Sequence, residues 1–120
     1  MPNPVTWFEL IGRDSVALQG FYRDVFGWKV GPPSGPEMGN YAMVDNEGQG
    51  IGGGIGAAMG PQDQPRVTIY IQVDDPDAYL AKVNAAGGKT LMPTTTVAEG
   101  VTIAMFADPA GLVMGLLKAM

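Results

Sequence analysis

The sequence predicts an α+β domain in which one β-α-β-β-β unit is used twice. Three observations carry that reading. Val5 to Val30, VTWFELIGRDSVALQGFYRDVFGWKV, reads as a strand, a tight turn and an amphipathic helix ending in Gly27. Val67 to Gly88, VTIYIQVDDPDAYLAKVNAAGG, has the same order of parts. Asp14 recurs as Asp75 and Gly27 as Gly88, both 61 residues on (75 − 14 and 88 − 27), with Ala17 and Ala78 at the same offset. In a chain of 120 residues this is one motif used twice; a solenoid would need more copies.

The first strand, Val5 to Ile11, is rich in β-branched and aromatic residues. Asp14 follows where a helix N-cap belongs, because its carboxylate can accept an unpaired first-turn N–H. Val16, Leu18, Phe21, Tyr22, Val25 and Phe26 then recur at three- and four-residue steps, an apolar stripe that predicts a core-facing helix. Gly27 can take the left-handed conformation that closes it. Trp28 to Val30 begins a second strand, with Trp28 an anchor for the helix end, and Gly31 to Pro36 must end that strand. Asn40 to Asp45 reads as a third strand and Asn46 to Gly48 as a turn.

Gln49 to Met59, QGIGGGIGAAM, is glycine-rich, and Gly52, Gly54 and Ala57 match G-x-G-x-x-A. A dinucleotide loop must open a helix that holds pyrophosphate at its N-terminus. Gly60-Pro61 stops any helix here, so the segment is expected to be a strand where backbones or a ligand come close. Gly60 to Pro65 is the expected linker between halves. In the second half Asp75 caps a helix with Pro76 at its first position. That explains Asp74-Asp75-Pro76-Asp77 without a calcium loop, whose Gly and terminal Glu are missing. Lys89 to Thr96 is a strand that Pro93 places at an edge. After the Glu99-Gly100 turn, Val101 to Ala107 and Leu112 to Leu117 are strands flanking the Asp108-to-Gly111 turn. The two helices are expected to cover the outer faces of curled antiparallel or mixed sheets, leaving the inner faces to line a cleft.

Residues 1–120 read as one domain, with module one 1–60 and module two 61–120. A net charge of −5 and no Lys/Arg cluster argue against nucleic acid. Cysteine is absent, which excludes disulfides, thiolate metal sites and a cysteine nucleophile. Histidine is absent too, removing the commonest general base and metal ligand and every Ser-His-Asp arrangement. No apolar run approaches membrane-spanning length and no signal-peptide pattern follows Met-Pro-Asn-Pro, so the expectation is a cytoplasmic protein with no membrane partner.

With these elements placed, the chain resembles the vicinal oxygen chelate superfamily, which includes glyoxalase I, extradiol dioxygenases and bleomycin-resistance proteins. The resemblance rests on Trp7-Phe8-Glu9-Leu10, Phe21-Tyr22-x-x-Val25-Phe26-Gly27-Trp28, Ala86-Gly87-Gly88 and Asp108-Pro109-Ala110-Gly111. It implies two β-α-β-β-β modules around one cleft, usually within a homodimer. In metal-dependent members, His and Glu ligands come from the first and last strands of the modules. Here those positions fall at Trp7, near Thr68, at Gly115, and around Gly54 or Gly56. None is a ligand type, so no metal cofactor is expected; a divalent cation would have to be held by carboxylates and waters.

If the superfamily orientation holds, alternation turns Trp7 and Glu9 toward the cleft from the first strand, and Thr68, Tyr70 and Gln72 from its counterpart. Glu9, a carboxylate among aromatics, is the candidate general acid/base or hydrogen-bonding anchor. Its structural alternative is pairing with Arg13, Arg66 or a backbone donor. Trp7, Tyr41 and Tyr70 are candidates for an aromatic box around a flat ligand, with Gln72 and Thr94 orienting it. Met92 joins them on a predicted strand, where filling core is the alternative role.

Two functions follow. The first is a metal-free binder of a small apolar or aromatic molecule, of the bleomycin-resistance type. The alternative is a glyoxalase- or dioxygenase-like lyase or oxidoreductase, metal-dependent through atypical ligands or metal-free through Glu9. A third reading is an interaction module whose cleft is closed by its own side chains.

Overall fold

A computed structural model describes residues 2–58 and 64–119. In chain order the elements are β1 (Val5–Gly12), α1 (Ser15–Phe26), β2 (Lys29–Val30), a 3-10 turn at Pro36–Met38, β3 (Ala42–Asp45) and β4 (Gly52–Ala57). Then come β5 (Arg66–Val73), α2 (Pro76–Ala85), β6 (Lys89–Ala98), β7 (Val101–Ala107) and β8 (Val113–Lys118). Residues 60–63 of the expected linker, and Met59 before them, lie outside the described residues. The chain forms two compact units: Trp7–Val67, and the segment up to Thr6 together with Thr68 onward. Among the described residues no helix is long and apolar enough to cross a membrane.

Each unit carries four strands in one topology, which makes the class α+β with mixed pairing. In the Trp7–Val67 unit the order is β2-β3-β4-β1, with β1 parallel to β4 and the other pairs antiparallel. In the other unit it is β5-β8-β7-β6, with β5 parallel to β8 and the rest antiparallel. The internal repeat extends to register: Glu9 lies opposite Gly54, and Tyr70 opposite Gly115. Both members have moved 61 positions (70 − 9 and 115 − 54). β6 ends its strand order, and its register slips between Met92 and Thr95, around Pro93. A residue without an N–H is tolerated there because an edge strand has one unpaired side.

The helix ends follow their capping chemistry. Asp14 accepts from the Ala17 N–H at 3.1 Å, and Gly27 closes α1 at φ +70° with its N–H on the Arg23 carbonyl. Asp75 caps α2 and accepts from the Ala78 N–H at 3.4 Å. The second helix closes differently from the repeat's expectation. Gly87, at φ +97°, is the left-handed residue after α2, and Gly88 is not. Gly88 is needed for space instead, since a Cβ there would sit 2.7 Å from the Ala107 carbonyl oxygen.

In the unit containing α2, alternation places Val73, Ala104, Phe106 and Leu116 against Leu80, with Ile71, Tyr79, Val83 and Met114 packed around them. In the other unit Ala42, Val44 and Ile55 are buried, and Trp28 stacks on Tyr22 at 4.9 Å and meets Phe8 at 5.4 Å. The apolar stripe of α1 points inward only in part: Leu18 and Tyr22 are half-buried, while the rest of the stripe is exposed. Phe21 is 54% exposed and Phe26 60%, with Val16 and Val25 also exposed. The buried helix positions are Ser15 and Gln19. Gln19 is 1% exposed because its amide nitrogen donates to the carbonyls of Asn40 (2.8 Å) and Ile55 (3.0 Å), while Ser15 donates to Gly39. Satisfied polar groups can take inward positions that a hydropathy pattern reserves for apolar ones.

Candidate functional site

The Trp7–Val67 unit holds a compact polar and aromatic constellation. Gly12 approaches Leu18, and Phe8 meets Trp28, so Phe8, Leu10 and Gly12 face α1. Strand alternation then turns Trp7, Glu9 and Ile11 to the opposite face. The parallel register sets Trp7, Glu9 and Ile11 beside Gly52, Gly54 and Gly56. The glycine-rich strand makes a floor with no side chains on this face, and rings from elsewhere lie across it. A Cβ at Gly54 or Gly56 would run into the Tyr41 ring, and one at Gly52 would meet the Trp7 ring. On the α1 side, a Cβ at Gly53 would collide with Phe8. The glycines therefore make room for aromatic side chains, and among the described residues no helix follows them before β5 to form a phosphate cradle.

The Tyr41 hydroxyl is the hub. It donates to Glu9 Oε2 at 3.0 Å and accepts from the Trp7 indole N–H at 3.3 Å. Burial first, and the Glu9 charge second, push the Tyr41 phenol well above its usual range, so it stays a neutral donor. Arg66 Nη2 lies 3.7 Å from Glu9 Oε1, with the Glu9 side chain 13% exposed and that of Arg66 29%. Arg66 also borders an open groove of about 360 Å³ with Leu10, Leu18, Tyr22, Pro65 and Val67, a size within the range of small-molecule sites. Of the sequence candidates, the structure brings Trp7, Glu9 and Tyr41 together here. Arg66 entered the sequence reading only as a possible partner of Glu9; its position two residues before Thr68 on the same strand was the available signal.

The other unit holds the remaining candidates. Its core side is fixed by Ile71 and Val73, so Thr68, Tyr70 and Gln72 turn to the face away from α2. Tyr70 pairs with Gly115, Gly115 with Met105, and Met105 with Met92, which puts Met92 on that same face. The Tyr70 ring lies over Gly115, where a Cβ would collide with it. The Thr68 and Thr94 hydroxyls are buried and have no hydrogen-bond partner among the described residues. Thr94 sits beside the β6 irregularity.

A family model described as a glyoxalase-like domain matches residues 9–117. The chain belongs to the glyoxalase-like domain family. That places it in the vicinal oxygen chelate superfamily, as the motifs around Trp7, Phe21 and Asp108 imply. It is similar to the anthracycline biosynthesis protein DnrV of Streptomyces peucetius, 30% identical over 92% of this chain and 45% of that protein. It is also similar to the putative glyoxylase CFP32 of Mycobacterium bovis, 31% identical over 94% of this chain and 44% of that protein. This glyoxalase-like chain thus spans less than half the length of these relatives.

Methylmalonyl-CoA epimerase solved with methylmalonyl-CoA superposes at TM-score 0.70 with 19% identity, over 99% of this chain and 96% of that one. The epimerase of Mycobacterium tuberculosis superposes at 0.73 with 14% identity, over 97% and 87%. Such likeness shows the glyoxalase-like fold.

The residues present do not fit the metal that many superfamily members carry. The superfamily resemblance puts the ligand positions at Trp7, near Thr68, around Gly54 or Gly56 and at Gly115, and none of these residues offers an imidazole or carboxylate donor. The rings of Tyr41 and Tyr70 lie over Gly54 and Gly115, in space a ligating side chain would need. Among the described residues no group of three or more Asp, Glu, His or Cys is arranged to hold an ion.

Proposed function

We propose that this glyoxalase-like domain binds a flat, largely apolar small molecule without a metal, where Trp7, Tyr41, Glu9 and Arg66 meet. The observation that carries the proposal is the Tyr41 ring, seated on side-chain-free Gly54 and Gly56 with its hydroxyl held between Trp7 and Glu9. Such an arrangement supplies aromatic surface with an oriented polar edge, the usual make-up of a small-molecule site. The name of one relative, anthracycline biosynthesis, points to fused aromatic rings and supports the same ligand shape.

An acid/base enzyme built on Glu9 is the second reading, and the glyoxylase name of another relative favours it. The geometry favours an anchor over a proton shuttle. One Glu9 oxygen already accepts from Tyr41, the other faces Arg66, and the Tyr41 phenol is a poor proton donor to substrate. A homodimer completes the proposal, supported by the exposed apolar residues of α1.

Native mass spectrometry of the purified protein tests all three statements together. A metal-free dimer carrying an organic adduct is expected. Stoichiometric metal, or turnover abolished by Glu9→Gln in a screen of glyoxalase-type substrates, would overturn the binder in favour of the enzyme.

A further inference from the structure

Met43 stands on the same face of its sheet as Trp7, Glu9 and Tyr41. Ala42 and Val44, before and after it on β3, are buried, so alternation turns Met43 to the other side with Tyr41. The register sets it in one row with Glu9: Glu9 lies opposite Gly54, and Gly54 opposite Met43. On its other side the neighbour is Gly31, whose N–H donates to the Met43 carbonyl at 2.9 Å. A methionine between two glycines has no cross-strand side chain to lean on. Met43 is accordingly 56% exposed.

The internal repeat supplies the comparison. In the other unit the matching row runs Tyr70, Gly115, Met105, Met92. There the methionine beside the glycine has a second methionine for a neighbour, and it is 9% exposed. The same glycine–methionine pair is closed in one unit and open in the other. A lone exposed apolar residue is ordinary on a protein surface. Met43 is not alone, because it borders the glycine floor and the hydrogen-bonded Trp7 and Tyr41 side chains. It is the uncovered side of a shaped apolar surface.

We infer that Met43 is a specificity residue of this site, its thioether closing over the edge of a flat aromatic ring that rests against Trp7 and Tyr41. This rests on the binding function proposed above and adds the residue that discriminates among its ligands. Tyr41 and Met43 are two positions apart on one strand, so their Cα atoms are about 7 Å apart. An unbranched side chain with three rotatable bonds spans that interval and adapts to what lies there. Its sulfur is polarisable and packs at ring edges about 5 Å from the ring, which favours an aromatic ring over a saturated one of similar outline.

Titration of the intact chain with 2-naphthol, followed by NMR of isotope-labelled methionine methyl groups, tests the assignment. The Met43 signal, identified by its loss in Met43→Ala, is expected to shift in step with binding. Met38, which is 55% exposed in the 3-10 turn, is expected to stay put. By calorimetry Met43→Ala should weaken 2-naphthol at least ~5-fold, the sum of a sulfur–aromatic contact and lost apolar area, with Met38→Ala within ~2-fold of wild type. The wild type should prefer 2-naphthol to decahydro-2-naphthol by ~3-fold or more, and Met43→Ala should shrink that preference. Binding that leaves the Met43 methyl unmoved, or that Met43→Ala does not weaken, overturns the assignment while leaving the binder intact. Equal weakening of both compounds overturns the specificity, and equal shifts of Met38 and Met43 overturn the site by showing general adsorption. Failure of 2-naphthol to bind the wild type at all removes the binding function along with the role of Met43.

Discussion

The phenolic oxygen of Tyr41 reaches the Glu9 carboxylate at 3.0 Å because the residue opposite Glu9 on the neighbouring strand, Gly54, has no side chain. Pairing in the sheet fixes the address of the glycine, and the glycine admits the ring. In the other unit the same register sets Gly115 beneath Tyr70. What looks like a phosphate-loop motif in the sequence is thus half of a glycine-under-tyrosine arrangement present twice.

Two alanine substitutions at glycine should therefore have opposite signs. Gly54→Ala forces the Tyr41 ring off Glu9 and is expected to cost about 1–3 kcal/mol, the range for overpacking. Gly20→Ala, in α1 with nothing within 4 Å of the added carbon, is expected to stabilise by about 0.5–1 kcal/mol. Urea denaturation reads both. A neutral Gly54→Ala would show that Tyr41 does not need the space.

Tyr41 also predicts how stability responds to alkali. Its folded-state pKa is raised above the ordinary value of about 10, by burial and by Glu9. Below pH 10 both folded and unfolded states keep the proton, so this group adds no slope. Above it the unfolded chain loses the proton first, and stability falls by up to about 1.4 kcal/mol per pH unit until the folded state also ionises. Tyr41→Phe should lower stability near neutrality, through the lost bond to Glu9, and flatten the decline above pH 10. Parallel slopes for the two proteins between pH 10 and 11.5 would sink the assignment.

Much of this was legible beforehand, for physical reasons that differ by element. Asp14, Asp75 and Gly27 act locally, so their roles survive without tertiary information. Alternation along β1 and β5 assigned Trp7, Glu9, Tyr70 and Gln72 to faces, since period two needs only the strand itself. The swap of roles between Gly87 and Gly88 was not legible, because the repeat carries offset and not helix length; α1 has 12 residues and α2 has 10. The reach of Tyr41 to Glu9 depends on β3 lying beside β4, which no window of sequence reports.

Gln19 is the clearest miss, and it makes a sharp prediction. Its amide nitrogen serves two backbone carbonyls, Asn40 and Ile55, in a fully buried setting. Gln19→Leu matches its size and improves the apolar pattern of α1, so a hydropathy argument expects stabilisation. Removing the donor instead leaves buried carbonyls short of a partner, at about 1–3 kcal/mol each. The expected outcome is a loss of about 2 kcal/mol or more by chemical denaturation, with a rise in stability counting against the hydrogen bonds.

Removing metal should change nothing. With no donor at the positions that the superfamily resemblance implies, Trp7, near Thr68, around Gly54 or Gly56 and Gly115, prolonged dialysis against a chelator is expected to leave the melting temperature unaltered. A drop of several degrees that added Zn, Mn or Fe restores would show that an ion is held by donors elsewhere.

The exposed side of α1 carries the last prediction, and the internal repeat supplies its control. Val16 and Val25 are more than half exposed, while their counterparts 61 residues on are Asp77 and Ala86. If surface chemistry alone shaped these helices, both would keep large apolar residues off their outer faces, as α2 does. An apolar patch on one of two equivalent helices fits a surface that another protein chain covers. The double variant Val16→Lys, Val25→Lys removes apolar area without touching Glu9, Tyr41 or the aromatic stack around Trp28. It is expected to convert a dimer into a monomer in native mass spectrometry while circular dichroism stays that of the folded protein. A wild-type protein that is already monomeric at high concentration, or a variant that stays dimeric, would remove α1 from the interface.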